Sequence, residues 1–202
     1  MSRTLVLGSR NRKKLGELAE LLEPLGFALK TLADFPTAMD VAETGTTFGE
    51  NARLKAVQQA THLRQWVLGE DSGLSVEPLD GAPGVYSARF SDPGATDERN
   101  NALLLEKLAT VALDRRWAFY TCHAVLSDPD GNVRAESVGT CRGRILLKPA
   151  GTSGFGYDPL FEVVECHRTF GELSPAVKRV LSHRSRAMRQ LVPQLVGLAN
   201  EF

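Results

Sequence analysis

Short apolar runs alternate along the first part of the chain with a segment whose apolar residues recur every three or four positions. Residues 4–7 form the first run and predict a buried strand, and residues 27–32 predict a second. Between them lie leucines at helical spacing: Leu15, Leu18, Leu21, Leu22 and Leu25. Strands that alternate with a helix predict an α/β fold, in which helices cover a sheet.

A second helix is predicted over residues 47–63. Thr47 and Glu50 have the spacing of a capping box, which satisfies backbone N–H groups at a helix start. Asn51 and Lys55 are four positions apart and therefore share one face of this helix. Small residues that favour close packing accompany them: Ala52, Ala56 and Ala60.

The second half of the chain mixes strands with two more helices. Residues 66–68 predict a strand that ends just before two carboxylates. Further strands are predicted at residues 74–76, 116–126 and 133–142, the last of which continues over residues 144–147. Residues 128–131 have the composition of a hairpin turn, so the strands that flank this turn should be antiparallel. The two helices are expected at residues 96–108 and at 182–198, with Ser182 as the N-cap of the last helix.

The composition excludes several classes of protein. With 202 residues the chain is predicted to form a single domain, residues 1–202, or two small lobes that share one sheet. Lys plus Arg and Asp plus Glu each number 24, so we expect no basic field that would hold a nucleic-acid polymer. Three widely spaced cysteines predict neither a disulfide framework nor a zinc site. We expect no signal peptide, no membrane-spanning stretch and a cytoplasmic location.

Two adjacent carboxylates, Glu70 and Asp71, follow the strand predicted at 66–68 and are followed by Ser72 and Gly73. Carboxylates at the carboxyl end of a strand are suited to ligand binding, because open α/β sheets bind ligands at that edge. Since burying a carboxylate is costly unless it is paired or metal-bound, two in a row suggest a function. The alternative is a solvated loop with an Asx-type turn.

The loop after the first strand carries several cations and leads into a helix N-terminus. Its residues are Ser9, Arg10, Asn11, Arg12, Lys13 and Lys14. Free backbone N–H groups and the helix dipole favour an anion at such a place, and the side-chain charges add to this preference. The glycine spacing of a P-loop is absent. The alternative is an ordinary basic helix start with a Ser or Asn cap.

A third group of residues suggests a surface for a flat ligand. Two glycines flank an aromatic ring in the sequence Gly154, Phe155, Gly156, Tyr157, Asp158. Glycine allows a backbone to approach a ligand closely, and an exposed ring can stack on a nucleotide base. The alternative is a turn whose phenylalanine fills the core. Lys178, His183 and Arg184 follow near the start of the last helix and could donate hydrogen bonds.

Carboxylates together with cations are the groups needed for a magnesium-dependent attack on a polyphosphate. At this point the sequence resembles the inosine triphosphate pyrophosphatase family, which hydrolyses non-canonical purine nucleoside triphosphates. Six motifs carry the resemblance in the family order: SRNRKK at 9–14, TFGENA at 47–52 with Lys55, EDSGL at 70–74, GAPGVYSAR at 81–89, GFGYDP at 154–159 and SHR at 182–184.

The resemblance implies an α/β fold with a long twisted mixed β-sheet, flanking helices and two lobes around a central substrate cleft. It also implies hydrolysis of ITP, dITP and XTP at the bond between the α- and β-phosphates, giving the monophosphate and pyrophosphate. The implied cofactor is Mg²⁺. The implied partners are the small-molecule nucleotide and a second copy of the chain in a homodimer.

By motif, Asp71 resembles the residue that accepts a proton and binds the metal, with Glu43 or Glu70 as further metal ligands. Ser72 and Lys55 resemble substrate contacts, the latter beside the leaving group. The loop at 9–14 resembles the triphosphate-binding loop. The base pocket is implied at Phe155, Gly156, Tyr157, Asp158, Lys178, His183 and Arg184.

This chain departs from the family pattern at three places. Ser9 and Arg10 stand where threonine and glycine are frequent, and Glu70 stands where an aspartate is frequent. Ala42 stands where the first glutamate of a pair usually binds the metal, so Glu43 is the remaining candidate. Two alternatives stay open: a pyrimidine-directed pyrophosphatase of the same fold, and a purine nucleotide sensor without catalytic activity.

Overall fold

A computed structural model describes residues 3–11, 15–16, 18–19, 22–23 and 26–202. Within these residues, seven strands form an open sheet in the order β2-β1-β3-β4-β5-β6-β7. The strands are β1 (Arg3–Leu7), β2 (Phe27–Thr31), β3 (Val67–Val76), β4 (Trp117–Ser127), β5 (Val133–Ile145), β6 (Phe161–Val163) and β7 (Arg168–Thr169). Their parallel and antiparallel pairings confirm the predicted α/β fold with a mixed sheet and flanking helices.

The first strands of the sheet pair in parallel. All of β1 pairs with β2, from Arg3 opposite Phe27 to Leu7 opposite Thr31. On its other side β1 pairs with β3 only at Val67 and Leu68. β1 therefore ends while β3 continues, and the later residues of β3 extend beyond their parallel neighbour.

The prediction of two short strands around the carboxylates is wrong, because β3 is one strand of ten residues. Glu70 and Asp71 lie in its middle rather than at its end. Gly69, Gly73 and the two acids have low strand propensity, which is why the local pattern predicts a break. In the sheet β3 lies between β1 and β4 and is hydrogen-bonded to both, and this pairing overrides the local preference.

Later in the chain, β5 pairs antiparallel with β6, and β6 pairs antiparallel with β7. The strand predicted at 116–126 and the hairpin turn are confirmed within one residue. β5 is a single strand that ends at Ile145, two residues before the predicted Leu147, and it continues through Gly143 as predicted. A Cβ atom at this position would lie 2.3 Å from the Phe161 ring, so the glycine allows β6 to lie close.

Four helices have defined bounds: α1 (Phe48–Leu63), α2 (Asp97–Lys107), α3 (Pro175–Leu181) and α4 (His183–Gly197). The predicted helices at 47–63 and 96–108 are confirmed, and Thr47 and Glu50 form the expected capping box. The predicted last helix is also confirmed, since it begins at His183 directly after Ser182, whose extended conformation is that of an N-cap residue. The separate helix α3, which Ser182 ends, was not predicted. Leu15, Leu18 and Leu22 are helical as predicted; Leu21 and Leu25 lie outside the described residues.

The chain divides into two compact units, each with its own apolar core. Unit 1 contains residues 1–71, 122–139 and 184–202, and unit 2 contains residues 72–121 and 140–183. Leu5, Leu68 and Met188 belong to the core of unit 1. Leu74, Leu104 and Phe161 belong to that of unit 2. Among the described residues, no helix is both long and apolar enough to cross a membrane.

Candidate active site

Asp71 is the centre of a polar cluster in unit 1. Its carboxylate accepts a hydrogen bond of 2.8 Å from the Lys55 ammonium group and one of 3.3 Å from the Asn51 amide. The side chains of Asp71 and Lys55 are only 10% and 12% exposed. Asn51 and Lys55 reach one carboxylate because residues four apart share a helix face, as the sequence predicted.

Close packing of α1 on β3 makes this contact possible. Ala52, Ala56 and Ala60 are fully buried, which confirms the predicted role of these small residues. Opposite them, a Cβ atom on Gly69 would lie 2.3 Å from the Ala52 carbonyl oxygen and 2.5 Å from the Ala56 nitrogen. Only glycine therefore fits two residues before Asp71.

A second carboxylate, Glu43, approaches the same ammonium group. Its Oε1 atom lies 3.5 Å from Lys55 Nζ. The loop that carries Glu43 is fixed to α1, since the Gly45 N–H donates to the Asn51 side chain at 2.8 Å. The side chain of Gln59 donates to the Met39 carbonyl on the other side of Glu43. Helix α1 thus positions both carboxylates relative to one cation.

The environment of Asp71 raises the pKa of its carboxyl above the ordinary value. Burial is the largest cause, because a low-dielectric surrounding disfavours the charged form. The nearby Glu43 charge raises the pKa further, whereas Lys55 and Asn51 lower it. The carboxylate of Asp71 is consequently a stronger base than an exposed aspartate.

The donor atoms of this cluster fit a hard divalent cation. Glu43 and Asp71 both direct an oxygen at the Lys55 ammonium group, and these two carboxylates are the groups in the cluster that could bind a divalent cation. Magnesium is commonly held by one or two carboxylates, with phosphate oxygens and waters completing its shell. Within the described ranges, no group of three or more His, Cys, Asp or Glu residues could hold a metal.

The described part of the basic loop lies beside the loop that carries Glu43. Arg10 donates to the Ala38 carbonyl at 3.0 Å and forms an ion pair with Asp40. The Asn11 N–H donates to Ser9 Oγ at 3.1 Å, in the manner of a cap. Three predicted contacts of this loop, Arg12, Lys13 and Lys14, lie outside the described residues.

Glu70 and Arg184 form a buried ion pair within unit 1. Arg184 Nε lies 2.9 and 3.1 Å from the two Glu70 carboxylate oxygens, and Nη2 lies 2.8 Å from Oε1. The two side chains are 5% and 4% exposed. Glu70 is therefore engaged with Arg184, and the metal-binding role expected for Glu70 stays a prediction. The same holds for the base contact expected from Arg184.

A second polar group lies in unit 2 and contains the glycine-flanked aromatic ring. Phe155 is half-buried and is not a core residue. The Lys178 ammonium lies 4.5 Å from the centroid of the Phe155 ring and 2.7 Å from an Asp158 carboxylate oxygen. The same oxygen accepts a hydrogen bond from the Phe155 N–H at 2.9 Å. Lys178 and Asp158 thus fix both the ring and its backbone.

Two further predicted residues of unit 2 contact aromatic or backbone groups. The His183 ring stacks on the Tyr120 ring, with centroids 4.7 Å apart and an interplanar angle of 8°. Tyr157 is buried, and its hydroxyl donates to the Ser87 carbonyl at 2.8 Å. Ser72 is half-buried in β3 directly after Asp71.

Sequence reasoning missed three residues that hold the polar groups in place. Gly69 could have been found, since a glycine inside an apolar run signals a close backbone approach. Asp97 and Asn101 of α2 both bond to Gly156, the residue after Phe155. No local signal connects residues more than fifty positions apart, so these two could not be found from the pattern.

The chain matches a known protein family over most of its length. The Ham1 family matches residues 5–194 of this chain. The chain therefore belongs to the Ham1 family, which confirms the resemblance drawn from the six motifs.

Individual relatives match over nearly their whole length. A protein of Rhodopirellula baltica named dITP/XTP pyrophosphatase is 56% identical over 194 residues, which cover 96% of this chain and 93% of that protein. One of the same name from Synechocystis is 45% identical, with 96% of each covered. The solved structure of the Ham1 protein of Staphylococcus aureus superposes with a TM-score of 0.87 at 35% identity, covering 96% of this chain and 99% of that one.

Proposed function

We propose that this chain is a nucleoside triphosphate pyrophosphatase that hydrolyses dITP, XTP and ITP to the monophosphate and pyrophosphate. Such a reaction removes non-canonical purine nucleotides from the nucleotide pool. The observation that supports it best is the buried Asp71 carboxylate with Lys55 at 2.8 Å, in a chain 56% identical to a dITP/XTP pyrophosphatase. A buried base beside a fixed cation is suited to the attack of water on a phosphate.

Asp71 would act on the attacking water. Its carboxylate accepts a proton while the water oxygen forms a bond to the α-phosphorus. The bond from that phosphorus to the bridging oxygen breaks, and pyrophosphate leaves with the electron pair. Because burial raises the pKa of Asp71, proton transfer to it is more favourable than to an exposed aspartate.

Lys55 would counter the negative charge that develops on the phosphate oxygens. Preorganised cations in a buried site contribute strongly to phosphoryl transfer. Asn51 holds the Asp71 carboxylate in place from the same helix face. The contacts predicted for Ser9, Arg10, Asn11 and the following basic residues would bind the outer phosphates.

Mg²⁺ is the proposed cofactor, with Asp71 and Glu43 as its protein ligands. When bound, it would neutralise phosphate charge and bring the nucleotide into register with the site. Glu43 takes the place of the glutamate missing at Ala42. The substrate phosphates would complete the coordination, since two carboxylates alone leave most positions open.

The group around Phe155 is the proposed base site. The ring would stack on the purine, and Lys178 and Asp158 keep that ring fixed. A hydrogen-bond donor facing the 6-oxo group, with His183 and Arg184 as candidates, would exclude adenine. An amino group at that position would leave such a donor unpaired, which is costly in a buried site.

Two further expectations belong to this proposal. We propose that the chain forms a homodimer and acts in the cytoplasm, with neither a nucleic-acid polymer nor a membrane as partner. The homodimer can be tested by light scattering of the purified protein at several concentrations.

The activity is tested by supplying dITP, XTP, ITP, ATP and dCTP to the purified chain with and without Mg²⁺. We expect the monophosphate and pyrophosphate in equal amounts, only with Mg²⁺, and only from the first three nucleotides. Release of orthophosphate would contradict cleavage between the α- and β-phosphates. Tight binding of dITP without any cleavage would instead support a sensor, and preference for dCTP would support the pyrimidine alternative.

A further inference from the structure

Gly156, which follows the proposed stacking ring, is held from both of its peptide groups by helix α2. Its N–H donates to the Asp97 carboxylate at 2.7 Å. Its carbonyl oxygen accepts from the Asn101 side-chain amide at 3.0 Å. Asp97 and Asn101 are four apart, so one helix face presents an acceptor and a donor to a single residue.

These hydrogen bonds matter because a glycine backbone can adopt many conformations and has no side chain to restrict them. The φ of Gly156, +62°, lies in the left-handed region, and no atom lies within 4 Å of where a Cβ would be. Gly156 lies in a turn that the Asp158 N–H closes by donating to the Phe155 carbonyl at 3.3 Å, and no side-chain packing adds to this bond. The two hydrogen bonds from α2 select its orientation from the many that a glycine can adopt.

The loop is held independently on its other side. Asp158 accepts from the Phe155 N–H, and Lys178 binds the same carboxylate oxygen. These contacts fix the peptide before Phe155, whereas Asp97 fixes the peptide after it. Hydrogen bonds therefore hold the backbone on both sides of Phe155. The bond to Asp158 lies within a predicted motif, whereas the bond from Gly156 to Asp97 does not.

We propose that Asp97 and Asn101 are positioning residues that determine how tightly the purine base is bound, without taking part in the chemistry. This inference rests on the proposed function, in which Phe155 stacks on the base. Both positioning residues belong to unit 2, whereas Asp71 belongs to unit 1. The two hydrogen bonds that join Asp97 and Asn101 to Gly156 form what we call the clamp. Its loss should weaken base binding equally in the ground state and the transition state, which raises KM and leaves kcat nearly unchanged.

The test compares Asp97→Ala and Asn101→Ala with Glu98→Ala. Glu98 is a matched control, because it lies in the same first helical turn as Asp97 but its interactions are with its own backbone and with Thr96. We expect KM for dITP to rise about tenfold in the first two variants, with kcat within about twofold of wild type. The control should keep the wild-type KM.

Inhibitors separate the two ends of the substrate. The inhibition constant of inosine monophosphate should rise about tenfold in Asp97→Ala, since it depends on base binding. That of pyrophosphate, which lacks a base, should not change. Asp97→Asn, which keeps an oxygen acceptor, should show a smaller rise and provides a second variant if Asp97→Ala does not fold.

The outcomes distinguish this inference from the proposed function. If wild type cleaves dITP but Asp97→Ala behaves like Glu98→Ala, the clamp is refuted and the activity stands. A parallel rise for pyrophosphate would also refute it, because the effect would then be general. If wild type does not cleave dITP, the proposed function fails, and calorimetric binding of inosine monophosphate to the same variants still decides the clamp. Absence of that binding in wild type would overturn both.

Discussion

The guanidinium of Arg184 and the carboxylate of Glu70 are paired inside unit 1, although 114 positions separate them. Both are at least 95% buried as side chains. Taking two charges out of water is costly, so removing one partner leaves the other as an uncompensated buried charge. This pair therefore connects the middle of β3 with the first turn of α4. In the sequence, Glu70 directly precedes Asp71, and Arg184 directly follows His183.

The first prediction concerns this pair. Glu70→Ala should lower the free energy of unfolding by about 3–5 kcal/mol, because it leaves Arg184 buried without its carboxylate. The double variant Glu70→Leu with Arg184→Leu should recover much of that loss. Urea unfolding measures both. A stability close to wild type, with a raised half-saturating Mg²⁺ concentration, would instead support the metal-binding role expected for Glu70.

Asp71→Asn should abolish turnover while leaving the fold intact. Because the folded-state pKa of Asp71 lies above its ordinary value, protonation of Asp71 stabilises the folded protein. This contribution to the free energy of unfolding is fully present below the pKa that Asp71 has in the unfolded chain. That stability is lost as the pH rises through the folded pKa. Without divalent metal, the variant should therefore be at least as stable as wild type at pH 7 to 8, and the advantage should vanish in acid.

Chemical unfolding from pH 4 to 8 in the presence of a chelator measures this difference, alongside pyrophosphate release at saturating Mg²⁺. Wild-type rates in the variant would refute the role of Asp71 as base. A variant that is much less stable at pH 8 than at pH 4 would contradict the sign of the shift.

Lys55→Met should lower kcat and move the acid limb of the kcat profile to higher pH. Lys55 lowers the pKa of Asp71 through its charge and hydrogen bond, so its removal lets burial raise that pKa further. Lys55→Arg keeps the charge and serves as the control. The idea is contradicted if both variants keep the acid limb of wild type.

Glu43→Gln should raise the Mg²⁺ concentration needed for half-maximal activity, roughly tenfold or more. The change removes one of the two carboxylates directed at Lys55 Nζ while keeping the shape of the side chain. Asp130→Asn, at the exposed tip of the hairpin, is the matched control and should leave the Mg²⁺ dependence unchanged. An unchanged dependence in Glu43→Gln would remove Glu43 from the proposed ligands.

Gly69→Ala should lower the free energy of unfolding by about 1–3 kcal/mol and reduce kcat, because its methyl group would press β3 away from α1. The contacts of Asp71 with Lys55 and Asn51 depend on that close approach. Gly16→Ala is the comparison, since no atom lies within 4 Å of the added carbon there. It should be neutral or stabilising by up to about 1 kcal/mol. Equal effects of the two changes would contradict this account.

Local pattern predicted the elements whose residues agree with their final structure. The capping residues Thr47 and Glu50 set the start of α1, and the hairpin turn after β4 followed from its breakers. Two short strands at one end of the sheet, β6 and β7, escaped prediction, because three and two residues carry too little pattern. The separate helix α3 was also missed, although Ser174 and Pro175 are a cap and a first-turn proline.

The sequence predicted which polar residues belong to the candidate site better than it predicted which of them contact each other. Asp71 and Lys55 were predicted as neighbours in function and lie in contact, because helix spacing and family motifs both indicate them. The partner of Glu70 was not predicted, since ion pairs across more than a hundred positions leave no trace in local periodicity. The same reason hid the bonds from α2 to Gly156.

The chain passes between its two units four times, within β3, β4, β5 and α4. None of these passages is a loop, so neither unit corresponds to a continuous stretch of the gene. A fragment that contains one unit alone would require the chain to be cut within strands and its pieces to be reconnected. Both termini belong to unit 1, so deleting a terminal segment removes residues from the core of that unit. Each unit is therefore assembled from segments that are distant in the sequence, and cutting the chain at any single position cannot separate the two units.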